Sequence, residues 1–310
     1  MHIGITGASG FLGTQVVQVA RSRGHVVTGF SRKIAVPVSG CESVRPFGPK
    51  MDLNGIEGVI HLAGESILGL WTTEKRKRIL HSRTDGTRWV VDAIEQTARK
   101  PSALISASGA GIYGNRGDEI LTESSSTGRS NFLAEVGVAW ETEGSKAQAA
   151  GVRYVPIRIA LVLGKGGGAM KLMEPVFRLG LGGKLGTGKQ WMSWIHVTDV
   201  AELFLHALEN SSVSGPLNGS SPNPVRNEEF TKVMGKILKR PTLLAVPEFV
   251  LKTMLRDEAS LVLDSQRITP EKALRSGFRF HFPDLPSALT DILGTPRTPK
   301  TLENAGNGER

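Results

Sequence analysis

The chain is poor in cysteine and tyrosine. Its 310 residues include one cysteine, Cys41, and two tyrosines. A single cysteine excludes a disulfide within the chain, and we expect a reducing, cytoplasmic environment. No run of apolar residues approaches the ~18 that a membrane-spanning helix needs, so we predict no membrane span. Histidine and cysteine do not occur at metal-site spacing, so we also predict no bound metal.

The chain has an excess of positive charge, which is not concentrated in one segment. The formal net charge is +9, and 39% of the residues are hydrophobic, as is typical of a globular protein. The densest basic run, residues 75–78, falls in a predicted helix, where such a run is usually a solvated face. We therefore expect a small-molecule substrate or a regulatory protein partner, and no nucleic acid.

The first fourteen residues predict a strand, a glycine turn and a helix. Gly7, Gly10 and Gly13 follow the β-prone residues 2–6 in the pattern G-x-x-G-x-x-G, before an apolar helical stretch. These glycines suit a tight turn, close approach of the backbone to a pyrophosphate, and close packing of helix on sheet. The N-terminus of the helix favours a phosphate. The pattern predicts a Rossmann-type, doubly wound parallel α/β sheet, although an ordinary glycine turn is the alternative.

The second strand ends without an acid. An acid at this position binds the ribose 2′-hydroxyl of NAD, whereas an arginine accommodates the 2′-phosphate of NADP. The chain has Ser31, Arg32 and Lys33 here, which favours NADP(H). A charge-assisted bond from Arg32 is worth roughly 1.5–3 kcal/mol. The alternative is that Arg32 and Lys33 form a solvated pair.

Strands and helices continue to alternate along the chain. We assign residues 1–163 and about 193–220 to the nucleotide-binding domain. Residues 164–192 and 221–294 are predicted to form a small, mostly helical C-terminal cap. The composition of residues 295–310 predicts a disordered tail. The predicted segments are strands at 58–63, 103–107, 152–163 and 215–218, and helices at 72–98 and 131–150.

A second glycine-rich segment imitates the phosphate loop of nucleoside triphosphatases. Gly183, Gly188 and Lys189 match G-x-x-x-x-G-K. Gln190 replaces the required serine or threonine, and residues 191–196 are β-prone where a helix should begin. We therefore do not assign nucleoside triphosphate binding to this segment.

The order of motifs resembles that of an extended short-chain dehydrogenase/reductase. The resemblance is carried by the turn Thr-Gly-Ala-Ser-Gly-Phe-Leu-Gly and by Ser106 to Gly114, which ends in Tyr-Gly. Further segments, among them residues 61–66 and 190–196, resemble an atypical subgroup called epimerase family proteins. This subgroup belongs to the NAD(P)-dependent epimerase/dehydratase family and ends in a C-terminal domain of unknown function. Some of its plant and cyanobacterial members are linked to plastid or cell division.

The resemblance implies that NADP(H) binds to the glycine turn and to the ends of several strands. The implied cofactor-binding residues are Gly7, Ala8, Ser9, Gly10, Phe11, Leu12, Gly13, Ser31, Arg32, Leu62, Ala63, Arg83 and Val162.

The usual catalytic pair of the family is missing. Typical members use Tyr-x-x-x-Lys on one helix face, where the lysine lowers the pKa of the tyrosine. Tyr113 is followed four residues later by Gly117, and Tyr154 lies in a predicted strand. The expected location of the pair falls near Leu133 and Gly137, neither of which can move a proton.

Other proton donors are weaker candidates. Ser106, Ser108 and Tyr113 occupy the strand end where a substrate carbonyl would lie. Glu65, Glu123 and His196 are alternatives, although a structural role suits each of the six.

Two hypotheses remain open. One is an NADP-dependent oxidoreductase or epimerase acting on a small polar, sugar-like molecule. The other is a non-catalytic NADP(H)-binding regulator, linked to cell division through its family.

Overall fold

The computed structural model describes residues 1–33, 37–128 and 131–294. In chain order the strands are β1 (His2–Thr6), β2 (Val26–Ser31), β3 (Ser43–Pro46), β4 (Gly58–His61), β5 (Ala103–Gly109), β6 (Ile120–Leu121), β7 (Arg153–Ile159), β8 (Leu161–Gly164), β9 (Gly167–Gly168), β10 (Gly183–Leu185), β11 (Trp191–Met192), β12 (Trp194–His196), β13 (Leu217–Gly219), β14 (Val225–Arg226), β15 (Leu244–Val246) and β16 (Arg267–Ile268). The helices are α1 (Phe11–Ser22), α2 (Thr73–Gln96), α3 (Phe132–Ser145), α4 (Met170–Arg178), α5 (Val197–Glu209), α6 (Asn227–Leu238), α7 (Glu248–Leu255), α8 (Ser260–Leu263), α9 (Glu271–Arg275) and α10 (Leu285–Leu293).

Seven parallel strands form the central sheet, in the order β13-β7-β5-β4-β1-β2-β3. The strand order reverses between β1 and β4, so the crevice of the sheet opens beyond the carboxyl ends of these two strands. The glycine turn after β1 therefore lies at the position where open α/β sheets bind their ligands. The predicted Rossmann-type sheet is confirmed.

Helices cover both faces of the sheet. On one face α1 and α5 pack together, and Ile3, Ile5 and Phe204 are fully buried in the core there. On the other face α2 and α3 pack together over a second core that contains Val59 and Leu104. Strands buried on both faces account for the near-continuous apolar character of their sequences.

Two capping side chains fix the starts of the helices on this second face. The Thr72 hydroxyl accepts the backbone N–H of Lys75 at the start of α2. The Asn131 side chain accepts the backbone N–H of Ala134 at the start of α3. These caps satisfy amide groups that have no partner within the helix.

The single strand predicted at residues 152–163 is wrong. The chain forms β7 and β8, which belong to different sheets, with Ala160 between them. The backbone N–H of Ala160 bonds to Gly219, whereas that of Leu161 bonds to Ser193. The chain therefore leaves the central sheet at Ala160, a change of partner that apolar content alone does not reveal.

Beyond β7 a separate core holds the cap elements together. It includes the buried residues Met170, Phe177, Phe230 and Leu289. Short strands accompany the helices: β10 pairs with β15, and β11 pairs with β14. A bend at Gln190 and then β11, rather than a helix, follow Lys189, as expected for a false phosphate loop. The proposed domain boundaries stay a prediction, and the predicted tail at 295–310 lies outside the described residues.

Within residues 1–33, 37–128 and 131–294, no helix has both the length and the apolar character needed to cross a membrane.

Candidate cofactor site

The glycine turn is so tightly packed that side chains would collide with backbone. Gly7 has φ +70°, and a Cβ on it would lie 2.9 Å from the backbone nitrogen of Ala63. A Cβ on Gly13 would lie 2.1 Å from the carbonyl oxygen of Gly7. The N–H of Gly10 closes the turn by donating to the same carbonyl at 2.9 Å. Glycine is thus required at positions 7 and 13 by contacts that the sequence pattern only implied.

The N-terminus of α1 presents its amide groups at the end of this turn. Gly10 is the N-cap, and within residues 1–33 no side chain caps the helix and no acid occupies its first turn. Uncapped N–H groups together with the helix dipole favour an anion at this position. The arrangement suits the pyrophosphate of a dinucleotide.

Phe11 connects the glycine turn to the β8–β9 hairpin. A Cβ on Gly167 would lie 2.0 Å from the Phe11 ring, and one on Gly164 would lie 2.7 Å from it. The hairpin therefore lies directly on the aromatic ring. The Cβ position of Gly168 is 2.8 Å from the carbonyl oxygen of Val162 and 3.2 Å from the Phe11 ring, so Val162 and Phe11 share this neighbour.

A buried hydrogen-bond network fixes the segment after β4. The Thr6 hydroxyl accepts the backbone N–H groups of Leu62 (3.1 Å) and Ala63 (3.2 Å) and contacts His61 Nδ1 at 2.7 Å. Because both lone pairs of the hydroxyl are used, its proton points to Nδ1. His61 Nε2 then carries the ring proton and donates to the Thr87 hydroxyl at 3.1 Å. The network thus assigns the tautomer of His61 and holds Leu62 and Ala63 beside the turn.

Burial keeps His61 neutral. Complete burial, with a further effect of the Arg83 charge, lowers the pKa of His61 to about 3. A protonated ring would also lose Nδ1 as the acceptor for Thr6. His61 therefore serves as a neutral structural support of the site.

This depressed pKa predicts a stability that falls with acid. Between about pH 6.5 and 4 the unfolded chain binds a proton at His61 while the folded chain does not, so the unfolding free energy should fall by up to about 1.4 kcal/mol per pH unit. Urea denaturation of the parent and of His61→Gln across this range measures the effect. We expect a shallower pH slope for the variant, and equal slopes would contradict the assignment.

Arg83 lies in the crevice with its charge unpaired. Its guanidinium stacks 4.9 Å from the Trp140 ring and donates to the carbonyl oxygens of Glu65 and Ile79, each at 3.0 Å. Among the residues that the structure describes, no carboxylate pairs with it. Burial lowers its pKa to about 10, and Glu65 partly opposes this effect. A mostly buried cation without a counter-ion is suited to an anionic group of a ligand.

Arg32 and Glu65 lie at the outer end of the crevice. Arg32 is exposed beyond β2, where the Ser31 hydroxyl accepts the N–H of Lys33. The Glu65 carboxylate contacts Lys75 Nζ at 2.7 Å, and this bond is the main reason why its pKa is lowered, with a smaller effect of the Arg32 charge. Lys75, Arg78 and Arg32 all act on Glu65, so cations outnumber carboxylates in this cluster.

The strongest catalytic candidates are part of a buried polar network. Arg158 forms a two-bond ion pair with Glu141, at 2.9 and 2.8 Å, and donates to the Tyr113 hydroxyl at 3.0 Å. Ser108 donates to the same carboxylate at 2.7 Å, and Tyr113 donates to Asn218 at 2.7 Å. Burial raises the pKa of Tyr113 despite the neighbouring Arg158. Ser108 and Tyr113 are therefore engaged with protein partners and buried.

The remaining candidates also have partners within the protein. Ser106 is fully buried and donates to the Ala107 carbonyl. Glu123 accepts the backbone N–H groups of Asn218 and Lys272. His196 caps α5, and burial lowers its pKa. Of the six, Glu65 alone is both partly exposed and adjacent to Arg83.

The expected Tyr-Lys location is occupied by close packing. A Cβ on Gly137 would lie 2.9 Å from the Cβ of Ile112, and the Cβ of Leu133 lies 3.0 Å from the Cβ position of Gly111. Helix α3 thus lies against the segment after β5, which leaves little room for a lysine at position 137.

Comparison with known proteins decides the family. The model of the NAD dependent epimerase/dehydratase family matches residues 3–218, and that of a domain of unknown function matches residues 246–292. The chain belongs to the NAD dependent epimerase/dehydratase family. Both the family and the C-terminal domain of unknown function inferred from the sequence are confirmed.

Members of the family resemble the chain over almost its whole length. The epimerase family protein YfhF of Bacillus subtilis is 39% identical over 96% of this chain and 100% of its own length. A chloroplastic SDR39U1 homologue of Arabidopsis thaliana is 38% identical over 94% of this chain and 87% of its own. The crystal structure of human epimerase family protein SDR39U1 with NADPH has a TM-score of 0.87 and 33% identity, covering 94% of this chain and 99% of that one.

Sequence reasoning singled out Ser106 and Ser108 but missed the polar residues beside them that support the site. Thr6, His61 and Ser106 lie side by side in register on β1, β4 and β5, and one pleat further Ser108, Arg158 and Asn218 do so on β5, β7 and β13. Polar residues at the ends of otherwise apolar strands were the available signal. Their partners on α2 and α3 needed the tertiary structure.

Proposed function

We propose that the chain binds NADP(H) at the crevice between β1 and β4 and uses it as an oxidoreductase or epimerase on a small polar, sugar-like molecule. The observation that carries the proposal is the backbone cradle at Gly7 and Gly13, which side chains would fill, below an uncapped helix N-terminus. The similarity to a human protein solved with NADPH supports the choice of NADP(H).

The chain offers groups for the phosphates of the cofactor and for the part between them. The first turn of α1 suits the pyrophosphate, and Leu62 and Ala63 line the middle of the crevice. Arg32, with Ser31 before it, suits the 2′-phosphate. Bound NADP(H) supplies or accepts a hydride. The hairpin that carries Val162 packs on the Phe11 ring.

Arg83 is our candidate for binding the substrate oxygen or a cofactor phosphate. Within the described part of the chain only its Nη1 donates hydrogen bonds, and the other N–H groups would stabilise negative charge on a ligand oxygen. Glu65 is held as a carboxylate by Lys75 and would act as a proton acceptor rather than a donor. The Ser108–Glu141–Arg158–Tyr113 network would shape the substrate side without moving a proton.

The specificity for NADP(H) should depend on Arg32. We expect NADPH to bind at least about tenfold more tightly than NADH, and Arg32→Glu to remove this preference, because the 2′-phosphate loses one charge-assisted bond and gains a repulsion. Titration monitored by energy transfer from tryptophan measures both affinities.

Arg21→Glu serves as the control. It makes the same charge change in the last turn of α1, at the end of the helix away from the crevice. If Arg32→Glu still binds NADPH more tightly than NADH, other cations bind the 2′-phosphate. If neither NADPH nor NADH binds to the parent chain, the proposal is wrong.

The packing around Gly137 favours a second candidate, a non-catalytic regulator whose cap contacts a protein when NADP(H) is bound. No tyrosine-lysine pair fits there, and Ser106 and Tyr113 are fully buried. A screen for NADPH oxidation with small carbonyl compounds and sugar nucleotides separates the two candidates. Tight NADPH binding without turnover of any of them favours the regulator.

A further inference from the structure

Helix α4 has two apolar faces, of which only one is buried. Met170 and Phe177 are buried in the cap core. Leu172, Val176 and Leu179, the residue that follows the helix, lie about 140° away around the helix axis and are exposed, Leu179 to 74%. A surface helix needs one apolar face to fold, so the second face has no role within the described chain.

The exposed face continues onto the segment before β15. Arg240 Nε donates to the carbonyl oxygen of Arg178 at 2.7 Å, and a Cβ on Gly180 would lie 3.6 Å from the Pro241 ring. The two segments therefore run side by side. Leu243, in the second segment, is 91% exposed. We call this surface the leucine surface; it consists of Leu172, Val176, Leu179, Leu181 and Leu243.

Cations border the leucine surface. Lys171, Lys239 and Arg240 are exposed and, among the described residues, form no ion pair. The one acid of α4, Glu174, contacts Arg178 at 2.7 Å and is thereby neutralised. The border is therefore positively charged.

We propose that the leucine surface docks on a lipid bilayer that carries anionic headgroups. Side chains as exposed as Leu179 and Leu243 protrude from the protein, so they fit a deformable layer better than a preformed pocket. An apolar face bordered by Lys and Arg is the pattern of a helix that lies in the membrane interface. Each cation adds about fivefold in affinity for an anionic surface.

Sedimentation of the full chain with vesicles tests this proposal. One set contains phosphatidylcholine alone, and the other an equal mixture of phosphatidylcholine and phosphatidylglycerol. We expect binding to the mixed vesicles and at least about tenfold weaker binding to the neutral ones, with a loss of affinity as salt is added. Leu179→Glu and Leu243→Glu should each reduce binding to the mixed vesicles by about tenfold or more.

Leu274→Glu is the matched control, because Leu274 is an exposed apolar residue on α9, which packs at the β13 edge of the sheet. It should bind vesicles like the parent. Circular dichroism melts verify that all three variants fold. Absence of vesicle binding by the parent would overturn the proposal, as would equal effects of Leu274→Glu and Leu179→Glu. A concentration-dependent dimer that Leu179→Glu abolishes, without vesicle binding, would instead identify a second copy of the chain as the occupant.

Discussion

Glu141→Ala should destabilise the folded chain by about 3–5 kcal/mol, because the variant leaves Arg158 buried without a counter-ion. Both N–H groups that Arg158 donates to Glu141 would lose their acceptor, and so would the Ser108 hydroxyl. Arginine is not deprotonated in proteins at neutral pH, so the guanidinium would not escape the cost by losing its proton. Urea denaturation at neutral pH measures the loss.

Glu143→Ala is the matched control on the same helix. Glu143 contacts Arg88 and Lys146, whose side chains are about half exposed, so its removal should cost about 0–1 kcal/mol. The double variant Glu141→Met with Arg158→Met removes both charges and should recover part of the loss. Equal effects of Glu141→Ala and Glu143→Ala would show that the buried pair does not hold the sheet to α3.

Gly13→Ala should weaken NADPH binding by about two orders of magnitude, or roughly 2.7 kcal/mol. The new methyl group would lie 2.1 Å from the Gly7 oxygen and 2.9 Å from two backbone atoms of Ala8. Backbone cannot move aside as the end of a flexible side chain can, so the turn must open. The amide groups at the start of α1 would then lose their alignment with the pyrophosphate.

Gly48→Ala controls for the general cost of replacing a glycine. A Cβ on Gly48 has no atom within 4 Å among the described residues, and its φ is not positive. This variant should bind NADPH like the parent. If Gly13→Ala folds and binds NADPH with parental affinity, the glycine turn does not hold the cofactor.

The sequence was sufficient to predict the Rossmann-type sheet because its signals are local. Strand, glycine turn and helix follow one another within residues 1–22, and each apolar strand is short and bounded by turns. The break at Ala160 was not predictable from composition, since residues on both sides are apolar and only their hydrogen-bond partners differ.

The candidate site was predictable only in part. The implied cofactor residues come from several segments, and the structure brings the glycine turn, Leu62, Ala63 and Val162 into contact with one another or with common neighbours. Other residues hold these side chains and backbone groups in place: Thr6 bonds to the backbone of Leu62, and the Trp140 ring stacks on Arg83. Such contacts join distant parts of the chain. Burial also withdraws Ser106 and Tyr113 from solvent and keeps His61 neutral. Burial depends on the whole fold and cannot be read from a local sequence pattern.

The most direct test is a crystal structure of the chain with NADPH. We expect the pyrophosphate at the N–H groups of residues 11–13 and the 2′-phosphate beside Arg32, with Arg83 in contact with the ligand. A nucleotide bound elsewhere, or a crevice that stays empty at saturating NADPH, would contradict the assignment of this edge of the sheet as the cofactor site.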